Sequence, residues 1–253
     1  MDPIAISLIS FAFIFGGTLC GYYLGGKLPD HHLGDDSRDS IKMTWGIIAT
    51  MSALVLSLLV ASAKNSFDTV NSESTQAAAK LIVLNHTLIR YGPRADPVRN
   101  QLRLAIASAI KRDWPDVSIP EAVAAAPEKG NVMEAIQDQI SQLVPASDAQ
   151  RALLSQAQQT SADLSLGRWL VIEQSKTFLP NALFVALVFW LTILFIGLGL
   201  FAPHNNTVLM TLILGSLSVS VAIYLINDLS HPLKGLITVS PDSMLDVLHD
   251  LSQ

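Results

Sequence analysis

Several stretches of this chain are too long and too apolar for a water-soluble fold. Positions 3–26, 43–63 and 177–227 contain no Asp, Glu, Lys or Arg, and "PHNN" divides the last of them in two. About 20 apolar helical residues cross a hydrocarbon core of ~30 Å. Within lipid, a segment must satisfy its own backbone hydrogen bonds, which selects the helix. Four transmembrane helices are therefore predicted, at about 4–26, 43–63, 178–202 and 207–227. Composition agrees, with only 15% charged residues against about a quarter in soluble domains. The first apolar stretch is read as a span and not as a cleaved leader. Asp2 is the only charge before it, its apolar core is too long, and no A-x-A-like site follows. The lone Cys20 lies inside that span, excludes an intrachain disulfide and reads as packing. A net charge of −5 without any basic cluster excludes nucleic acid as a partner.

The segments between spans alternate sides of the membrane. Residues 27–42 and 203–206 share one side and carry Lys27, Arg38 and Lys42. The other side carries Lys64, Lys80, Arg168, Lys176 and Lys234 near its spans. The positive-inside rule then places residues 64–177 and both termini in the cytoplasm of a cell whose inner membrane holds the protein. The expected organisation is a first helix pair (1–63), a helical cytoplasmic domain (64–177), a second helix pair (178–228) and an amphipathic tail (229–253).

The cytoplasmic segment reads as helix throughout. "KNSFDTVNSESTQAAAKLIVLNHTLIRY" has no Gly or Pro, so the second span's helix is predicted to continue to Tyr91, where "YGPRADP" breaks it. A helix near 96–113 places Val98, Leu102, Ala105, Ile106 and Ala109 on one face. "WPDVSIPEAVAAAPEKG" is a Pro-punctuated connector with one short helix. "NVMEAIQDQISQLVP" aligns Val132, Ile136, Ile140 and Leu143. Ser147 is the expected N-cap of a helix running toward the third span, where Pro180 is placed to kink it. The tail resumes as a helix at Ser240, Pro241 and Asp242, with Met244, Leu245, Leu248 and Leu251 as its apolar face. The fold class is all-α, a four-span membrane protein with a helical cytoplasmic domain.

Four features stand out as candidate sites. Gly17, Gly21 and Gly25 recur every four residues in the first span, a spacing that lets helix backbones approach closely. Their partner is either another span of the same chain or a second subunit. Along the second span, Thr50, Ser57, Lys64 and Asn71, then Ala78 and Asn85, recur at seven with Ala61 and Asp68 between. Such a face avoids lipid. It lines an aqueous pathway, or its hydroxyls bond back to carbonyls one turn earlier in a plain bundle. Ser216 and Ser220 form a similar set in the fourth span. That span ends in "YLINDLSHPLKGLITVS", where Asn227 and Asp228 mark a boundary at which a carboxylate reaches water and forms a constriction or clamp. There Pro232 stops the helix, Gly235 redirects it, and "LITVS" lies along the bilayer surface or the base of the helices. The acidic loop "KLPDHHLGDDSRDS" attracts cations but has no ligand spacing for a metal. Motifs of hydrolases, zinc peptidases, nucleotide and dinucleotide binding are absent, so neither enzyme activity nor a cofactor is expected.

The exit of the fourth span resembles the bestrophin-like domain family. The matching residues are Asp228, Pro232, Leu233, Gly235, Leu236, Ile237, Val239, Ser240 and Pro241, together with "SESTQAAAKLIVLNHTLIRYGP" after the second span. Leu233 stands where the family usually has an aromatic, and Glu73 lacks the family's usual neighbours. The resemblance implies four spans over nearly the whole chain and kinship with oligomeric anion channels. The expected function is a homo-oligomeric, ion-conducting membrane protein lined by Thr50, Ser57 and Lys64. The alternative is a non-conducting scaffold or sensor whose cytoplasmic domain binds a protein. The ion's sign stays open, because the resemblance implies anions and the acidic loop implies cations.

Overall fold

The structure is a computed structural model that describes residues 3–27, 35–118, 132–175, 181–203, 205–233 and 235–252. The regular elements among them are helical: α1 (Pro3–Gly25), α2 (Asp35–Tyr91), a 3₁₀ turn (Pro93–Ala95), α3 (Asp96–Asp113), α4 (Val132–Ser141), α5 (Asp148–Ser175), α6 (Asn181–Leu200), α7 (Asn206–Leu229) and α8 (Asp242–Asp250). Four stretches are long and apolar enough to cross a membrane: Ile4–Gly25, Ile41–Tyr91, Ala182–Leu200 and Asn206–Leu229. The charge-free runs explain all four, and α2 continues past its apolar part because nothing before Gly92 stops it. The expected connector helix, His31, His32 and the kink at Pro180 lie outside the described residues. The loop before α2 is shorter than the sequence suggested, since helix already begins at Asp35.

The chain divides into two compact units, Met1–Ser66 with Phe178–His231, and Phe67–Thr177 with Pro232–Gln253. In the first, α1 packs against α6 and α7. Its core is formed by Ile14, Leu59, Ala63, Leu187, Leu191, Phe195, Ile223 and Ile226. The glycine series of α1 faces the backbone of α6 in the same chain. A Cβ on Gly21 would overlap the carbonyl oxygen of Ile196, and one on Gly25 that of Leu200. Gly199 of α6 answers from the other side, where a Cβ would run into the Thr18 backbone. Gly197 seats the Trp45 ring, which also meets Phe201 edge-on at 5.3 Å between centroids. The polar side chains of α1 are absorbed locally: Ser10 and Thr18 donate to the carbonyls of Ile6 and Ile14, at 2.9 and 3.0 Å.

The second unit has a continuous apolar core contributed by α2 from Ala78 on, by α3, α4 and α5, by Val247 and Leu248 of α8, and by Leu251 just after it. Its corners are tied by side chains bonding to backbone. Ser147 caps α5 by accepting from the Gln150 N–H at 3.2 Å, while the Gln150 side chain reaches the Ala146 N–H and the Tyr91 carbonyl. Gly92 adopts φ 106 at the break after Tyr91, a conformation that side chains with a Cβ resist. In α3 the buried face is Val98, Leu102, Ile106, Ala107 and Ile110. Ala107 and Ile110 replace Ala105 and Ala109 of the expected face, which are only half-buried. In α8, Val247 is fully buried although the expected face omitted it.

Candidate functional site

Thr50, Ser57 and Lys64 are all exposed along α2, and Gly46, Ala53 and Ala61 are exposed with them. These six positions are spaced four, three, four, four and three, which keeps them on one face of a helix with 3.6 residues per turn. The buried residues of the same stretch are Ser52, Leu59 and Ala63, on the opposite face. Exposed Ile47, Met51, Leu54 and Leu58 border the small and polar column. The Thr50 hydroxyl donates to the Gly46 carbonyl at 2.8 Å. That satisfies its proton within its own helix.

The seven-residue spacing does not hold this face over the full helix. Asn71 is exposed, but Ala78 and Asn85 are buried in the second unit. A strict heptad drifts by about 20° per repeat on a straight α-helix, so five repeats swing it by roughly a quarter turn. The 3.6-residue period describes the exposed column, and Asn85 belongs to a different site described below.

In α7, Ser216 and Ser220 are fully buried. Each donates to a carbonyl one turn earlier, those of Leu212 and Ser216, at 2.8 Å in both cases. Asp228 is a correction to the sequence reading: its side chain is 0% exposed and does not reach water within the folded chain. The helix runs past it to Leu229, so the carboxylate sits one residue inside the helical end. Tyr224, one turn earlier, donates to its Oδ1 at 3.4 Å, a long bond. Burying a carboxylate is expensive without such partners.

The end of α7 is closed by residues that sequence reasoning overlooked. Ser230 donates its hydroxyl to the Ile226 carbonyl at 2.9 Å, and the His231 N–H donates to the Asp228 carbonyl at 2.9 Å. The His231 ring meets the Asn227 carbonyl through Nδ1 at 2.8 Å, a contact that requires the proton on Nδ1. Three of the four carbonyls that a helix leaves open are thus satisfied. The signal was available in sequence as a Ser and a His following the last apolar turn. Asn227 Nδ2 is buried with no hydrogen-bond partner. Gly235 takes a positive φ of 154, consistent with the expected redirection after Pro232.

A third cluster joins α8 to α2 and α3. Asp250 accepts from Asn85 Nδ2 at 2.9 Å and pairs with His86 Nε2 at 3.0 Å, and Arg99 Nε donates to Asn85 Oδ1 at 2.9 Å. Burial alone would raise the Asp250 pKa, but the bonds from Asn85 and His86 and the nearby charges of His86 and Arg99 hold it below the usual carboxylate range. Among the described residues, no group of His, Cys, Asp or Glu is arranged to hold a metal ion.

Comparison with curated proteins and with solved structures gives no match. The model of the bestrophin-like domain matches residues 12–244, from α1 to the start of α8, including the α7 exit and the acidic, Ala-rich part of α2. With most of its length covered by that one match, the chain belongs to the bestrophin-like family.

Proposed function

We propose that this protein assembles with copies of itself in an inner membrane and encloses an ion-conducting pathway walled by the exposed column of α2. The observation that carries this reading is the outward position of Thr50 and Ser57 within an otherwise apolar, membrane-length stretch. Hydroxyls and small residues directed at lipid gain nothing there, whereas against water or another copy they do. Lys64 continues the column at the end of the apolar run. Ser216 and Ser220, expected from the sequence to line the pathway, are buried and bond back to carbonyls of their own helix, so they are not part of this wall. Asn227, Asp228, Pro232 and Gly235 form the turn that fixes the mouth of the fourth span. The Lys and Arg distribution orients the protein with both termini and residues 64–177 in the cytoplasm.

The test is flux from liposomes loaded with a permeant salt, using wild type, Ser57→Glu and Ser57→Lys. Wild-type flux is expected, and the two charged variants should shift anion-to-cation preference in opposite directions. Absence of flux from well-folded wild type would favour a non-conducting scaffold whose cytoplasmic unit binds a protein.

A further inference from the structure

After α7 ends, a backbone bond from Val239 to Pro232 draws the chain back on itself. Its base is tied at Val239. Val239 is 1% exposed, its N–H donates to the Pro232 carbonyl at 2.9 Å, and its own carbonyl accepts from Trp114 Nε1 at 2.7 Å. Its tip has the opposite character. Gly235, Leu236, Ile237 and Thr238 are all exposed, with Leu236 at 79% among the most exposed large apolar residues in the chain. A base held by a buried Val, one backbone bond and one bond from the Trp114 side chain thus presents Leu236, with Ile237 beside it at 39% exposure.

We propose that this loop is a membrane wedge, in which Leu236 and Ile237 enter the bilayer beside the exit of the fourth span. The inference rests on α7 crossing the bilayer. Leu236 follows Leu229 by seven residues, so even a fully extended chain keeps it within about 25 Å of the helix end. The covalent tether thus confines an apolar tip to the neighbourhood of lipid. The size of the patch separates lipid from a protein partner. Two side chains at these exposures offer on the order of 200 Å², whereas a stable protein interface takes about 800 Å² from each partner. Lipid needs no such area, because each buried apolar group contributes independently to partitioning. Gly235, at φ 154, lets the tip turn outward immediately before Leu236.

The test uses the full chain reconstituted in vesicles of phosphatidylcholine and phosphatidylglycerol. Cys20, the native cysteine, is replaced by Ser, and a nitroxide is attached at Leu236→Cys; the position is exposed, so the fold tolerates the label. Collisions with oxygen, which concentrates in lipid, are compared with those of a water-soluble nickel chelate. The expected result is an oxygen-to-nickel ratio several-fold above that of a label at Lys111→Cys, exposed on α3. Strong nickel broadening at Leu236 would place the tip in water and overturn the wedge. Shielding from both reagents would mean that protein covers the tip, and would overturn it in favour of contact with a second copy. A parallel label at Leu214→Cys, exposed on α7, reads the premise separately. Lipid at Leu214 with water at Leu236 sinks the wedge alone, while water at Leu214 removes the spanning reading and the wedge together.

Discussion

Asp250 is the residue whose chemistry is most completely specified. Its carboxylate is the meeting point of Asn85 and His86 from α2, while Arg99 of α3 fixes the amide of Asn85. Truncating it by Asp250→Ala should lower the stability of the second unit by about 1–3 kcal/mol, since a charged acceptor is lost while the amide of Asn85 stays buried. Differential scanning calorimetry in detergent, together with faster amide exchange in α8, would register this. The pH dependence has a definite sign. A carboxyl whose folded pKa is depressed binds fewer protons in the fold than in the unfolded chain. Its contribution is therefore complete above the ordinary value of 3.8 and is lost as pH falls through the lowered folded value. Melting curves below pH 3.8 should show a steeper decline in wild type than in Asp250→Asn. None of this was legible in the sequence, because the adjacent Asn85 and His86 lie far along the chain from Asp250 and no local pattern links them. Asp228 was misplaced for a related reason. At the end of an apolar run a carboxylate reads as the water boundary, and only the tertiary packing shows that it is enclosed.

The elements themselves were more legible. Runs without charge predicted α1, α6 and α7 to within a few residues, and the absence of Gly and Pro carried α2 to Tyr91, where Gly92 and Pro93 end it. What one sequence left undecided was the partner of each face. The glycines of α1 had two possible partners, and the structure turns them toward the backbone of α6. Two substitutions on the same helix should behave oppositely. Gly21→Ala pushes a methyl into the Ile196 carbonyl and should cost about 1–3 kcal/mol, seen as a lower melting temperature in detergent. Gly16 has open space around its Cβ position. Gly16→Ala should be neutral or gain up to about 1 kcal/mol from helix propensity. The answering glycines, Gly197 and Gly199, were overlooked because their two-residue spacing resembles no helix-packing pattern. They serve two different neighbours, Trp45 and α1.

At the scale of the whole molecule, assembly is the property that tests the proposed pathway most directly. Cysteines placed in a Cys20→Ser chain should report which face of α2 meets other copies around an axis. Ala53→Cys, Ser57→Cys and Ala61→Cys should form cross-links between chains in membranes with a bifunctional thiol reagent, whereas Leu59→Cys and Ala63→Cys should not. A pattern with the opposite phase would place the column against lipid and remove the support for a pore. Electron microscopy of the assembly in nanodiscs would then give the symmetry that the cross-links imply. The glycine seam also has a consequence for how such a molecule is made. Its two halves are separated by roughly 170 residues of synthesis, so at about 5–20 residues per second α1 waits on the order of ten seconds or more before α6 exists. During that interval its backbone groove is bare within the lipid, a template for any other helix with a small-residue face.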